Sequence, residues 1–190
     1  LEQGGMTFSS ANSINWGRLV PQIVYYVSSY VSLAESGQIA YGDLLNVVVP
    51  TGNFGNILAA YYAKMMGVPL GKLICASNIN KVLTDFIRTG VYNRNRQFYP
   101  TASPSMDILI SSNLERLLYL LTGEDDAQIR EWFTALAEQG TYEVTDAVKA
   151  KLTEQFYGGF CDDVETKATI AELYKKYGYT CDTHTAVAVK

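Results

Sequence analysis

The run Asn46-Val47-Val48-Val49-Pro50 passes directly into the glycine-containing turn Thr51-Gly52-Asn53-Phe54-Gly55-Asn56, and this junction constrains the fold more than any other feature of the chain. Consecutive β-branched residues have few side-chain rotamers and favour extended backbone. An unbroken apolar run, in place of an alternating one, suits a strand covered on both faces, as in the middle of a parallel sheet. Ile57 to Met66 then reads as a helix ended by Gly67 and Pro69. Leu73-Ile74-Cys75-Ala76 reads as a second strand, and Ile79 to Thr89 as a second helix closed by Gly90. Strand, turn, helix, strand, helix at this spacing predicts an α/β fold with an open, mainly parallel sheet flanked by helices.

Upstream, Ser13 to Glu35 carries helical signals. Ser13 is a candidate cap, and Leu19, Ile23, Tyr26, Val27, Tyr30 and Leu33 recur at three- and four-residue steps up to Gly37. Pro21 inside that stretch predicts a kink or a late start. Downstream, Gly90 to Ser105 is polar and rich in Asn, Arg and Pro, which predicts a long ordered loop of functional interest. Helical periodicity then covers Asp107 to Leu121, Asp125 to Glu138, Thr145 to Phe156 and Val164 to Tyr177, a mostly helical C-terminal portion.

With 190 residues, 48% of them apolar, the chain can bury a sizeable core. Its net charge of −4 and scattered basic residues exclude a nucleic-acid or anionic-membrane surface as its main business. Cys75, Cys161 and Cys181 are odd in number and far apart, which disfavours a disulfide framework or a zinc site and suits a reducing cytoplasm. No apolar run reaches the length of a membrane span. The opening Leu1-Glu2-Gln3-Gly4-Gly5-Met6 is no signal peptide and reads as if cut from a longer chain.

The turn 50–56 has chemistry of its own. A helix start leaves N–H groups unpaired and carries partial positive charge, and glycines let backbone approach a ligand closely. Together they make a phosphate site without Lys or Arg. A Walker lysine is missing, so a nucleotide P-loop is disfavoured, as is the three-glycine dinucleotide pattern. A plain βα turn with glycines chosen for geometry alone accounts for the same spacing.

Four stretches resemble one family in the same order. Asn12-Ser13-Ile14-Asn15-Trp16-Gly17-Arg18 resembles the motif before a long helix in threonine synthases. Pro50 to Asn56 is similar to their cofactor-phosphate loop, Ser103 to Leu117 to a further family stretch, and His184-Thr185-Ala186-Val187-Ala188 to a fourth. The departures are Gly17, where alanine is common, and Thr183, where proline often precedes the histidine.

The resemblance implies the C-terminal half of a pyridoxal 5′-phosphate enzyme of the tryptophan synthase β-subunit-like class. Residues 1–190 would belong to its large cofactor-binding domain. The family converts O-phosphohomoserine and water to threonine and phosphate. It implies that Gly52, Asn53, Phe54, Gly55 and Asn56 cradle the cofactor phosphate. Thr185 would lie near the pyridine nitrogen, a neutral hydroxyl that leaves the ring less protonated. Ser13, Asn15 and Arg18 would take the substrate phosphate, a role for which the planar guanidinium suits Arg18. Asn15 reads equally well as a local backbone cap.

The family's lysine-bearing Ser-Phe-Lys-Asp-type motif is missing here, so no catalytic residue is assigned and the 190 residues alone are expected to be inactive. Lys64, Lys72 and Lys81 read as solvated. His184 reads as structural, Asp107 and Glu115 as helix-start and surface residues, and the tyrosines as core. Two other readings stay open. One is a different enzyme of the same class, a dehydratase or cysteine synthase. The other is a flavodoxin-like FMN carrier, whose loop should follow a first strand near the chain start, whereas a long helix precedes this one.

Overall fold

A computed structural model describes Asn12 and residues 14–190. Its strands are β1 (Leu45–Pro50), β2 (Leu70–Ser77), β3 (Val91–Asn93), β4 (Thr141–Glu143) and β5 (Phe156–Phe160). Its helices are α1 (Trp16–Leu19), α2 (Ile23–Glu35), α3 (Gly55–Met65), α4 (Val82–Thr89), α5 (Leu114–Thr122), α6 (Asp126–Gln139), α7 (Asp146–Gln155), α8 (Asp163–Tyr177) and α9 (Thr183–Val189). A 3₁₀ turn at Val20–Gln22, with Pro21 inside it, joins α1 to α2, which is the break that the proline predicts. Ser13 lies outside the described residues, and the cap on α1 is Asn15, whose side chain accepts from the Gly17 N–H.

β1, β2 and β5 form a parallel sheet in the order β1-β2-β5, with Val49 opposite Cys75 and Cys75 opposite Gly158. This α/β architecture, with helices packed on a parallel sheet, is the expected one. Side chains alternate between faces along a strand. On β2, Leu73 and Cys75 enter the main core with Ile57, Leu58, Phe86 and Phe156. Ala76 points to the opposite face, where it meets Met106, Cys161 and Val187 of α9. One face is therefore covered by α3 and α4, and the other by the short C-terminal helix.

Four expectations need correction. β1 is not central among the described residues. It pairs only with β2, and Val48 is 42% exposed, so the valine run marks a parallel strand without marking one buried on both faces. The helix expected from Asp107 starts only at Leu114, because the Asp107 carboxylate is drawn into a polar knot. It accepts from Asn78 Nδ2, Asn80 Nδ2, the Thr101 hydroxyl and the Thr101 N–H at 2.7–3.0 Å. Phe156 opens β5 instead of closing a helix. Gly158 permits it, since a Cβ there would lie 2.8 Å from the Thr84 Cα of α4. The loop after Gly90 contains β3, which pairs antiparallel with β4 and stacks Tyr92 on Tyr142 at 5.4 Å.

Candidate anion-binding site

β1 hands over to α3 through Thr51, which is buried, bonds from its N–H to the Ala76 carbonyl, and donates its hydroxyl to the Val49 carbonyl. Helix α3 begins at Gly55, two residues ahead of the expected Ile57, and no side chain caps it. Its start opens on a cavity of about 230 Å³ lined by residues 50–57 together with Arg18, Gln22 and Ser105. An uncapped helix start presents N–H donors and partial positive charge. An anion there is stabilised by about 0.3–1 kcal/mol through the helix dipole alone, and by more when partly buried.

The strained residue in the turn is Phe54 and not a glycine. Phe54 has φ 63°, in the left-handed region, whereas neither Gly52 nor Gly55 has positive φ. The strain, about 1–3 kcal/mol for a non-glycine residue, persists only where packing overrides it. Phe54 is 1% exposed and packs on Phe156 at 5.6 Å. The turn is also braced from behind. Ser111 Oγ donates to the Gly52 carbonyl at 3.0 Å, and Asn113 gives both its N–H and its Nδ2 to the Asn53 carbonyl at 3.1 and 2.9 Å. Neither Ser111 nor Asn113 lines the cavity, so these two carbonyls turn away from it and leave it rich in donors.

At the other end of the turn, the Tyr26 hydroxyl donates to Asn56, whose side-chain oxygen and backbone carbonyl are both in reach. Burial pushes the Tyr26 phenol well above its ordinary range, so it stays a donor. With Oδ1 engaged, the amide of Asn56 keeps its N–H groups for other partners.

Of the expected site residues, the structure gathers Gly52, Asn53, Phe54, Gly55, Asn56 and Arg18 around one cavity. Asn15 is occupied as the α1 cap and does not line it. Thr185 is linked to the site through other groups. Its hydroxyl donates to Asp182 Oδ2 at 2.5 Å, Asp182 Oδ1 lies 3.1 Å from His184 Nδ1, and His184 Nε2 accepts from the Ser105 N–H. His184 thus links the Ser105 segment to Asp182 at the start of α9, a structural role. Thr185 donates first, then the His184 and Thr185 N–H groups, and together they hold the Asp182 carboxyl at about 2.

Lys64 and Lys81 are half-buried, a correction to the solvated reading, whereas Lys72 is exposed as expected, and each of the three holds a partner. Lys64 donates to the Gly71 carbonyl at 2.7 Å, Lys72 to those of Thr153 and Glu154, and Lys81 sits 3.9 Å above the Phe160 ring. None of the three lines the cavity. Burial pushes the Cys75 thiol up to about 12, which leaves it unreactive. Among the described residues no His, Cys, Asp and Glu cluster could hold a metal. A larger cavity of about 660 Å³ lies between α5, α6 and Ile14. Its two arginines are already engaged, Arg130 with Asp126 and Arg116 with the Ile14 carbonyl, and Glu115 adds a carboxylate to its wall.

Gln22, Ser105, Ser111, Asn113 and Tyr26 were missed as site residues. Ser105, Ser111 and Asn113 fall inside the stretch 103–117 already singled out, but nothing in their spacing points at a loop 59 or 60 residues away from Ser111 and Asn113.

Over 97% of its length the chain is 52% identical to threonine synthase-like 1 of Homo sapiens, of which it covers 25%. Over 95% it is 39% identical to the threonine synthase of Eremothecium gossypii, covering 37% of that protein. Its backbone matches PLP-bound threonine synthase from Brucella melitensis with a TM-score of 0.90 and 41% identity, covering 95% of this chain and 38% of that one. No family model matches the chain. It spans between a quarter and two-fifths of the length of these relatives. Sequence and backbone agree over the same stretch: the chain belongs to the threonine synthase family and corresponds to one portion of its members.

Proposed function

We propose that this chain is the C-terminal part of the large cofactor-binding domain of a threonine synthase, and that the whole protein converts O-phosphohomoserine and water to threonine and phosphate with pyridoxal 5′-phosphate. The observation that carries the reading is the uncapped start of α3, held open at residues 52–56 above a cavity that Arg18 also lines. The donor set fits the phosphate of the cofactor, and a relative of 41% identity has that cofactor bound. When bound, the cofactor supplies the electron sink for charge developing on substrate carbon.

This chain's own residues hold and orient. Backbone N–H groups of Gly52 to Asn56 take the cofactor phosphate, each bond to the charged group contributing about 1.5–3 kcal/mol. Thr185, held by Asp182, would lie near the pyridine nitrogen of the cofactor. Ser13, Asn15 and Arg18 take the substrate phosphate, with Asn15 using the amide that capping leaves over. The lysine that acts as base comes from the N-terminal half, so the 190 residues alone do not turn over. The setting is the cytoplasm, in threonine biosynthesis. Among the described residues no helix is long and apolar enough to cross a membrane, and all three cysteines are unpaired.

The test is the purified full-length protein with O-phosphohomoserine. Threonine and phosphate should form in equal amounts, with cofactor absorbance near the violet edge, and Gly55→Val should abolish that absorbance. Release of a 2-oxo acid without threonine would move the assignment to a dehydratase of the same class. Bound flavin absorbance would move it to an electron carrier.

A further inference from the structure

The stretch from Ser111 to Arg116 touches two parts of the site that lie far apart in sequence. On one side Ser111 and Asn113 hold the carbonyls of Gly52 and Asn53. Asn113 is fully buried. Helix α5 starts at the next residue, and Arg116 stands in its first turn. On the other side Arg116 Nη2 donates to the Ile14 carbonyl at 2.6 Å, and its guanidinium lies 5.5 Å from the Trp16 ring. The Trp16 ring in turn sets edge-on against Tyr62 of α3 at 5.4 Å. A closed circuit results: anion loop, residues 111–113, the start of α5, segment 14–16, and α3, which begins at the anion loop.

Ile14 is 52% exposed and Trp16 46% exposed, so apolar burial alone fastens this segment weakly. Leu19 anchors only the far end of α1. The tie at Arg116 therefore has a large share in deciding where Asn15 and Arg18 stand. A guanidinium suits the task because one planar group both donates to a carbonyl and lies over a ring.

We infer that Asn113 and Arg116 are positioning residues which set the distance between the loop Thr51–Asn56 and the segment Asn12–Arg18, Asn113 through the loop and Arg116 through the segment. Under the proposed function, on which this rests, they fix the spacing between the cofactor phosphate and the substrate phosphate. Neither touches either ligand.

The test uses the full-length protein loaded with pyridoxal phosphate, and combines amide hydrogen exchange with steady-state kinetics on O-phosphohomoserine. Arg116→Ala should speed exchange across residues 12–18 by about tenfold and leave 51–56 as in the parent. It should raise KM about tenfold while the cofactor dissociation constant stays within about twofold. Arg116→Lys, which keeps a donor, should recover much of the protection. Asn113→Ala should do the converse, loosening 51–56 and weakening cofactor binding more than it raises KM. Unchanged exchange at 12–18 in Arg116→Ala would overturn the inference. So would faster exchange everywhere, or equal losses of cofactor and substrate affinity in both variants, since these mark a merely structural role. Should Arg116→Ala not fold, Arg116→Gln carries the same arms. A parent that makes no threonine would sink the proposed function alone, because the exchange pattern still decides the brace.

Discussion

A Cβ placed on Gly52 would overlap the backbone carbonyl oxygen of Ser105. The glycine in the anion loop thus makes room for a protein neighbour on the far segment as well as for a ligand. The Ser105 segment is not free to retreat. His184 accepts from the Ser105 N–H, and the knot around Asp107 fixes the chain two residues on.

Gly52→Ala should therefore destabilise the protein by about 1–3 kcal/mol, the usual cost of overpacking a tight site. It should also weaken pyridoxal phosphate binding by the full-length protein, because the loop must shift to relieve the overlap. Thermal unfolding and a cofactor titration check both. Parental values in the two measurements would mean that the 103–107 segment yields easily and that Gly52 has no packing role.

Tyr26→Phe tests the other end of the loop. The hydroxyl that orients Asn56 is lost while the ring stays packed, so stability should change little. Cofactor affinity should fall by about 0.5–1.5 kcal/mol, the net worth of one hydrogen bond. Titration of the apoprotein with pyridoxal phosphate measures it. A loss of stability with unchanged affinity would show that Asn56 needs no outside help.

Lys64 separates stability from binding in the opposite sense. Its ammonium is partly buried on the Gly71 carbonyl and away from the anion cavity, and burial lowers its pKa. Lys64→Ala should cost about 1 kcal/mol in denaturant unfolding and leave cofactor affinity as it was. A weakened cofactor complex would show that α3 transmits strain from its C-terminal end to its start.

The fold was legible where local signals and tertiary context agree. Val47 to Val49 marks a parallel strand, the glycine turn leads into a helix, Asp125 and Thr145 cap their helices, and Asp162 with Glu165 forms a capping box. It was illegible where a distant partner decides. Asp107 looked like a helix start until Asn78, Asn80 and Thr101 claimed its carboxylate. Phe156 looked like the end of a helix, yet it opens a strand whose Gly158-Gly159 forms the floor on which α4 rests, with Arg88 and Thr84 donating to its carbonyls. The anion loop was readable because its chemistry is written in contiguous residues. Its braces at Tyr26, Ser111 and Asn113 were not, because a hydrogen bond to a backbone carbonyl leaves no pattern in the residues that receive it.

Asp182 gives a prediction in pH. Its carboxyl is held at about 2, below its usual value of 3.8, by the Thr185 hydroxyl and by the N–H groups at the start of α9. A carboxyl depressed on folding contributes stability that is fully present above its unfolded value and lost as pH falls through its folded one. The contribution of Asp182 should thus persist down to about pH 4 and vanish towards about pH 2, the window set by its ordinary and folded values. The carboxylate is mostly exposed, so water screens it and the effect stays local to the helix it caps. Exchange protection of residues 183–189 should fall across that window before the main core opens. Asp182→Asn should remove the step, since asparagine caps as well as aspartate and does not titrate. Asp182→Ala should lose the protection at every pH. The same acid step in the asparagine variant would show that another carboxylate, and not Asp182, ties α9 to the site.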